Sequence, residues 1–280
     1  MKIGVIGAGV IGTGVVHRFA QYGYDVSVVD IDPGKEKVMR RNIKNSIMGY
    51  NLVNGGEKKV DYKEVLEKIS FSTELELLGE CEYVIENVTE KIEIKKEVYL
   101  KLDSICNENC IFLVNTSCIP ITKIAGYTSR KEKVIGAHFM NPVPMKNACE
   151  VIRGCYTSEE TIKSVSDFLG SAGIKPIIVN DMSGFVSNRV SHVFMNEAAM
   201  VVQDGVASPE DVDAIFKECF GHKMGPLETA DLIGIDTVVY SLDVLYEYYH
   251  DPKYRAAPIM KKMVDAGQLG RKSGKGFYNY

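Results

Sequence analysis

Six residues near the start of the chain, Gly7-Ala8-Gly9-Val10-Ile11-Gly12, constrain its fold more than any other feature. They stand between an apolar run, Ile3–Ile6, and a stretch in which Ile11, Val15, Val16 and Phe19 recur at helical spacing. A second apolar run, Val26–Val29, ends in Asp30, eighteen residues beyond Gly12. Strand, glycine turn, helix, strand and acid in that order specify a βαβ unit built for a dinucleotide. Gly7 permits the tight turn, Gly9 lets backbone approach a pyrophosphate, and Gly12 lets helix and strand pack closely. Val10 and Ile11 open the helix whose N-terminus faces the phosphates. A carboxylate at Asp30 accepts hydrogen bonds from the adenosine ribose and repels a 2′-phosphate, so the expected cofactor is NAD. Lys35, Lys37 and Arg40 are the nearest residues that would favour NADP.

Beyond this unit, short β-rich runs alternate with helical stretches to about residue 180: Tyr83–Ile85, Ile111–Val114, Val134–Ala137 and Ile177–Val179 read as further strands. After that the spacing turns helical, beginning with Phe185 to Gln203, and Ser208-Pro209-Glu210 reads as a helix start. The expected architecture is α/β: a Rossmann-type doubly wound sheet over residues 1–181, with a helical hairpin inserted near 35–68, followed by an all-α domain over 182–280. Asn54-Gly55-Gly56 reads as the loop of that hairpin.

Bulk properties narrow the function. A net charge of −4 among 280 residues gives no pull toward nucleic acid or an anionic membrane, so a small metabolite is the expected partner. The seven cysteines are odd in number and include no C-x-x-C, which argues against a disulfide framework and a zinc ribbon and fits a reducing cytoplasm. No metal is expected. The N-terminus runs straight into a strand and no later segment is apolar for 18 residues, so neither export nor membrane insertion is expected.

A dehydrogenase acting on an alcohol needs a group to take the hydroxyl proton, and imidazole is best tuned for it near neutral pH. Of the five histidines, His17 falls in the first helix, His192 in the helical domain, His222 beside a glycine, and His250 in a tyrosine-rich segment. His138 differs. It ends a strand in Gly136-Ala137-His138-Phe139-Met140-Asn141-Pro142-Val143-Pro144, and ligands bind at strand C-termini in such sheets. Glu150, twelve residues on, can return to the imidazole through a chain reversal at the two prolines. Counting alone leaves a buried structural histidine nearly as good a reading.

The chain resembles the short, single-function 3-hydroxyacyl-CoA dehydrogenases, called 3-hydroxybutyryl-CoA dehydrogenases in bacteria. The likeness runs through the glycine turn, Asn115-Thr116-Ser117, His138-Phe139-Met140-Asn141-Pro142, Gly184-Phe185-Val186-Ser187-Asn188-Arg189, Gly221-His222-Lys223-Met224-Gly225-Pro226 and Gly270-Arg271-Lys272-Ser273-Gly274-Lys275-Gly276-Phe277-Tyr278. The resemblance implies that His138 is the general base and Glu150 its carboxylate partner. It implies that Ser117 and Asn188 hold the reacting oxygen and the thioester, and that Glu90, Lys95, Ser117, Asn141 and Lys272 contact NAD. By residue type alone, Lys95 and Lys272 would be solvated charges. The implied reaction is reversible oxidation of an L (S) 3-hydroxyacyl thioester by a homodimer paired through its helical domain.

The sequence departs from that family in the hairpin. Ser46 matches a position contacting coenzyme A, but from Ser46 to Gly56 there is no basic residue before Lys58, and the lysine expected near Val53 is missing. The phosphates of coenzyme A would lose charge-assisted hydrogen bonds there. Met140, Cys118 and Ser183 replace the usual Phe, Ser and Pro, a combination similar to dehydrogenases acting on glyceryl or seryl groups held by an acyl carrier protein. Ile47, Met48, Tyr50, Leu52 and Val53 then either meet a protein surface or pack within the hairpin. The thioester carrier is thus coenzyme A or a carrier protein, and the remaining alternative is a non-catalytic NADH-binding protein.

Overall fold

Lys2-Ile-Gly-Val-Ile6 has no polar side chain after its first residue, and residues 3–6 are buried. A strand apolar on both faces belongs at the centre of a sheet covered by helices on either side, and that is where β1 (Lys2–Ile6) lies. The computed structural model describes residues 1–53 and 59–280. In chain order the first unit, Met1–Met182, continues with α1 (Val10–Gln21), β2 (Asp25–Val29), α2 (Gly34–Val53), α3 (Tyr62–Glu67), β3 (Ile69–Ser72), β4 (Tyr83–Glu86), α4 (Ile92–Ile105), β5 (Ile111–Val114), α5 (Ile121–Ala125), β6 (Val134–His138), β7 (Ala148–Arg153), α6 (Glu159–Ser171) and β8 (Lys175–Asn180). The eight strands lie in the order β3-β2-β1-β4-β5-β6-β7-β8, and every pair is parallel except β6 with β7. Strand order reverses between β1 and β4, which opens a crevice at the C-terminal ends of the strands.

The fold class matches the reading from sequence, with two additions: β3 and β7 were not foreseen as strands. β3 is four residues at the sheet edge with half its side chains polar. In β7, Glu150 interrupts the apolar run and the direction is reversed. Asn54-Gly55-Gly56 and Lys58 lie outside the described residues. The second unit, Ser183–Tyr280, is helical: α7 (Ser187–Gln203), α8 (Pro209–Glu218), α9 (Pro226–Ile233), α10 (Ile235–Tyr249) and α11 (Pro258–Asp265) pack around Met195, Leu227, Val238 and Leu242. Two buried carboxylates organise it. Asp213 caps α9 by accepting from the N–H groups of Leu227 and Glu228, and Asp231 accepts from the N–H groups of Phe277 and Tyr278. A Cβ at Gly276 would collide with that Asp231 carboxylate, which accounts for the glycine in the closing motif. Among the described residues no helix is long and apolar enough to cross a membrane.

Candidate active site

The glycine turn leaves β1 with Gly7 at φ +87°, where a Cβ would meet the Asn87 carbonyl oxygen at 2.6 Å. Any other residue there is strained twice over. A Cβ on Gly12 would strike the Gly7 carbonyl, so this glycine sets how closely α1 approaches the turn. Gly9 is the opposite case, with no atom within 4 Å of its missing Cβ. Its backbone faces open space, and no side chain caps the N-terminus of α1. The first-turn N–H groups of a helix have no intrahelical acceptor, so this end has the chemistry to hold a pyrophosphate. Asp30 directly follows β2 beside it, its Oδ2 accepting from Ala8 N at 2.7 Å and its Oδ1 from Asp32 N at 3.0 Å. The turn and the acid therefore form one hydrogen-bonded piece. These residues fit a dinucleotide.

Three more loops leave the same edge of the sheet and are tied together. Asn115, just past β5, donates from Nδ2 to Asn87 Oδ1 at 2.8 Å and accepts at Oδ1 from Phe139 N at 3.1 Å. Glu90 Oε1 accepts from the Thr116 hydroxyl and from the N–H groups of Ser117 (2.9 Å) and Cys118 (3.1 Å). Behind them stands Lys95, its side chain 0% exposed, donating to both oxygens of Glu86 at 2.8 and 2.9 Å and to the Asn115 carbonyl at 3.1 Å. Lys95 is not the solvated charge its residue type suggests. Whatever it contributes to a cofactor passes through the loop it holds. Burial pushes the Glu86 carboxyl up, against the pull of Lys95. Sequence reading missed Glu86 and Asn115; a carboxylate closing an otherwise apolar parallel strand was the available signal.

His138 ends β6, and Glu150 is its direct partner across the antiparallel ladder to β7. Opposed residues on neighbouring strands bring their side chains together, and Glu150 Oε2 lies 3.1 Å from His138 Nδ1. On the other side of the ring Nε2 is 3.3 Å from Ser117 Oγ. Both His138 and Glu150 are buried. With a carboxylate on Nδ1, the proton of the neutral ring belongs on that nitrogen, leaving Nε2 as the basic atom facing the serine.

The other residues singled out in the sequence are described each within its own unit. Asn141 is exposed, three residues past His138. Ser46 is exposed on α2. Cys118 is buried, as are four of the other six cysteines, and all seven are free thiols. Asn188 is the second residue of α7, its carbonyl 2.9 Å from His192 Nδ1, and Lys272 donates to Asp236 Oδ2 at 2.7 Å, both within the second unit. His222 lies against Phe216 and Phe194, and His250 ends α10 in a left-handed conformation.

His17 is buried in α1 and its Nε2 has no hydrogen-bond partner. Burial, with Arg18 adding to it, pushes this imidazole down to about 4. Between that value and the ordinary histidine pKa of about 6.5 the unfolded chain takes up a proton that the folded chain refuses, so stability falls as pH falls through this window. The loss attributable to His17 approaches about 3 kcal/mol at its lower end. Urea unfolding at pH 7 and pH 4.5 should show the wild type losing more stability than His17→Gln; equal losses would contradict a neutral buried ring.

Family models and individual relatives match the chain over its whole length. The NAD-binding domain model of 3-hydroxyacyl-CoA dehydrogenases matches residues 2–182, and the C-terminal domain model matches residues 184–280. The chain belongs to the 3-hydroxyacyl-CoA dehydrogenase family. It is 43% identical to the probable 3-hydroxybutyryl-CoA dehydrogenase of Deinococcus radiodurans, over the full length of both. It is 42% identical to the 3-hydroxybutyryl-CoA dehydrogenase of Clostridioides difficile, covering 100% of this chain and 99% of that one. The crystal structure of (S)-3-hydroxybutyryl-CoA dehydrogenase from Ralstonia eutropha superposes with a TM-score of 0.94 at 39% identity, over 100% of this chain and 98% of that one. As a member of the 3-hydroxyacyl-CoA dehydrogenase family, this protein is an NAD-dependent oxidoreductase.

Proposed function

We propose that the enzyme interconverts a short (S)-3-hydroxyacyl thioester of coenzyme A, such as 3-hydroxybutyryl-CoA, and its 3-oxo form, with His138 as general base. The run Ser117 Oγ, His138 Nε2, His138 Nδ1, Glu150 Oε2 is the observation that carries this reading. In the oxidative direction Ser117 holds the 3-hydroxyl and His138 Nε2 takes its proton, while the Glu150 carboxylate stabilises the imidazolium. Asn188 orients the thioester end. NAD bound there would supply the acceptor for the hydride leaving C3. Gly7, Gly9, Val10, Ile11, Gly12 and Asp30 would hold its adenosine and pyrophosphate, with Glu90, Asn141 and Lys272 as further contacts and Lys95 holding the Asn115 loop from behind. In the reductive direction His138 returns the proton to the 3-oxo group. The names of the relatives support the acyl chain length and the coenzyme A carrier. The same reading includes a homodimer formed through the second unit, whose surface exposes Val206, Phe220 and Leu232.

The test is oxidation of NADH, followed by absorbance, with acetoacetyl-CoA. Turnover is expected. A protein that binds NADH but reduces no 3-oxoacyl thioester would overturn the proposal in favour of a non-catalytic NADH-binding role.

A second reading, the same chemistry on a glyceryl or seryl group held by an acyl carrier protein, is favoured by one observation. On α2, Ile47 packs inward, but Met48 (47%), Tyr50 (48%) and Leu52 (82%) are exposed beside Ser46, where cations would meet coenzyme A phosphates. Robust turnover of acetoacetyl-CoA that weakens with salt would eliminate a carrier-only enzyme. NADH formation with glyceryl-carrier protein alone would establish it.

A further inference from the structure

Asn87, Asn115 and Phe139 are each the first residue past a strand, following β4, β5 and β6 at the C-terminal edge of the sheet. There the backbone pairs once more, Asn87 N donating to Ile6 O at 2.8 Å and Asn115 N to Glu86 O at 3.0 Å. Side chains then take over from the ladder. Phe139 N donates to Asn115 Oδ1 at 3.1 Å, Asn115 Nδ2 to Asn87 Oδ1 at 2.8 Å, and Asn87 Nδ2 to the Ile85 carbonyl at 3.2 Å. We propose that Asn115 is a positioning residue for the reaction, its carboxamide fixing where the His138–Ser117 pair stands relative to the dinucleotide turn. The inference rests on the thioester reading above and adds to it what sets the distance between the proton site and the hydride site.

The two halves of the reaction are anchored on different strands. The dinucleotide turn follows β1, whereas His138 ends β6, and β4 and β5 lie between them. Three strand spacings amount to about 14 Å. Asn115 reaches both ways across that span. On one side its Nδ2 holds Asn87, whose carbonyl oxygen lies against Gly7, 2.6 Å from where a Cβ would stand. On the other its Oδ1 holds the N–H of the residue after His138, while Ser117 lies two residues along its own loop. The 3.3 Å between Ser117 Oγ and His138 Nε2 therefore spans two loops that this one carboxamide joins. Lys95 fixes the backbone beneath it, donating to the Asn115 carbonyl at 3.1 Å.

Both neighbours constrain the residue type. The Ile85 carbonyl accepts from Asn87 Nδ2, so Asn87 turns its oxygen toward Asn115 and needs a donor there, whereas Phe139 N needs an acceptor. A carboxamide supplies one of each. A carboxylate at this position meets the second need and sets oxygen against oxygen at the first. Asn87 has no relief in turning over, because its own Oδ1 would then face the Ile85 carbonyl.

Asn115→Asp keeps the size of the side chain and removes the donor. In single turnovers of NADH-loaded enzyme with saturating acetoacetyl-CoA, the rate of NADH consumption should fall about 10²-fold, the scale of a misplacement of about 1 Å. The amplitude should stay full, and the KM for acetoacetyl-CoA and the Kd for NADH should stay within about threefold of wild type, as for a loss confined to the chemical step. A role in stability alone would lower the amplitude at an unchanged rate, and that outcome overturns the proposal while leaving the dehydrogenase assignment intact. Should Asn115→Asp fail to fold, Asn87→Ala, which withdraws the acceptor that orients the Asn115 amide, should slow the same step about tenfold, the scale of one hydrogen bond. An unchanged rate in that variant overturns the proposal equally. A wild type that binds NADH but consumes none with this substrate overturns the thioester reading itself.

Discussion

Replacing His138 by glutamine should lower kcat for acetoacetyl-CoA reduction by about 10³-fold while leaving the Kd for NADH within about twofold. Glutamine keeps polar contact with Ser117 and Glu150 but neither takes nor gives a proton at neutral pH, so the variant removes the base and little else. The size follows from what a positioned general acid–base group contributes, about 10² to 10⁴. NADH titration by fluorescence checks the second half of the expectation. A variant retaining a tenth of wild-type turnover would mean that another group moves the proton, and a variant that lost NADH binding would mean that His138 supports the fold. Glu150→Gln should fall between wild type and His138→Gln, because it preserves a hydrogen bond to the ring but no longer compensates the imidazolium.

Lys95→Met should destabilise the protein by about 3–5 kcal/mol, the cost of removing one partner from a buried ion pair. The ammonium has no exposed surface and satisfies both oxygens of a fully buried carboxylate. Without it Glu86 keeps the Val88 N–H, at 2.7 Å, and becomes easier to protonate than to ionise. Its pKa then lies above the unfolded value, so the variant should be closest to wild type in acid and lose ground as pH rises through that raised pKa. Adding Glu86→Gln should recover much of the loss at neutral pH. Chemical denaturation of the single and double variants checks this. A single variant as stable as wild type would mean that water reaches the site and that the pair contributes little.

The βαβ unit was legible because its logic is local: glycine spacing, apolar period and terminal acid all sit within thirty residues. His138 and Glu150 were legible as a pair only as a possibility, since what brings them together is an antiparallel register between strands, and neither strand announces its direction. The support behind Ser117 was not legible. Glu86, Lys95 and Asn115 act through long-range contacts, and a lysine in an amphipathic helix reads as a surface charge until the fold shows which face is buried. The orphaned nitrogen of His17 was equally invisible, because an unmet hydrogen bond is a property of what surrounds the residue.

The reversal of β7 has a further consequence for how such an enzyme diversifies. His138 and Glu150 are fixed by the hydrogen-bonded ladder between two strands, whereas the connection between them, residues 139–147, lies outside that ladder and carries the exposed Asn141. Changes confined to that connection leave the ladder, and with it the separation of imidazole and carboxylate, in place. Shifting the strand pairing by one residue, in contrast, would turn Glu150 to the opposite face of the sheet and take its carboxylate off the His138 ring. The imidazole–carboxylate pair thus depends on strand register and not on the length of the connection between the strands.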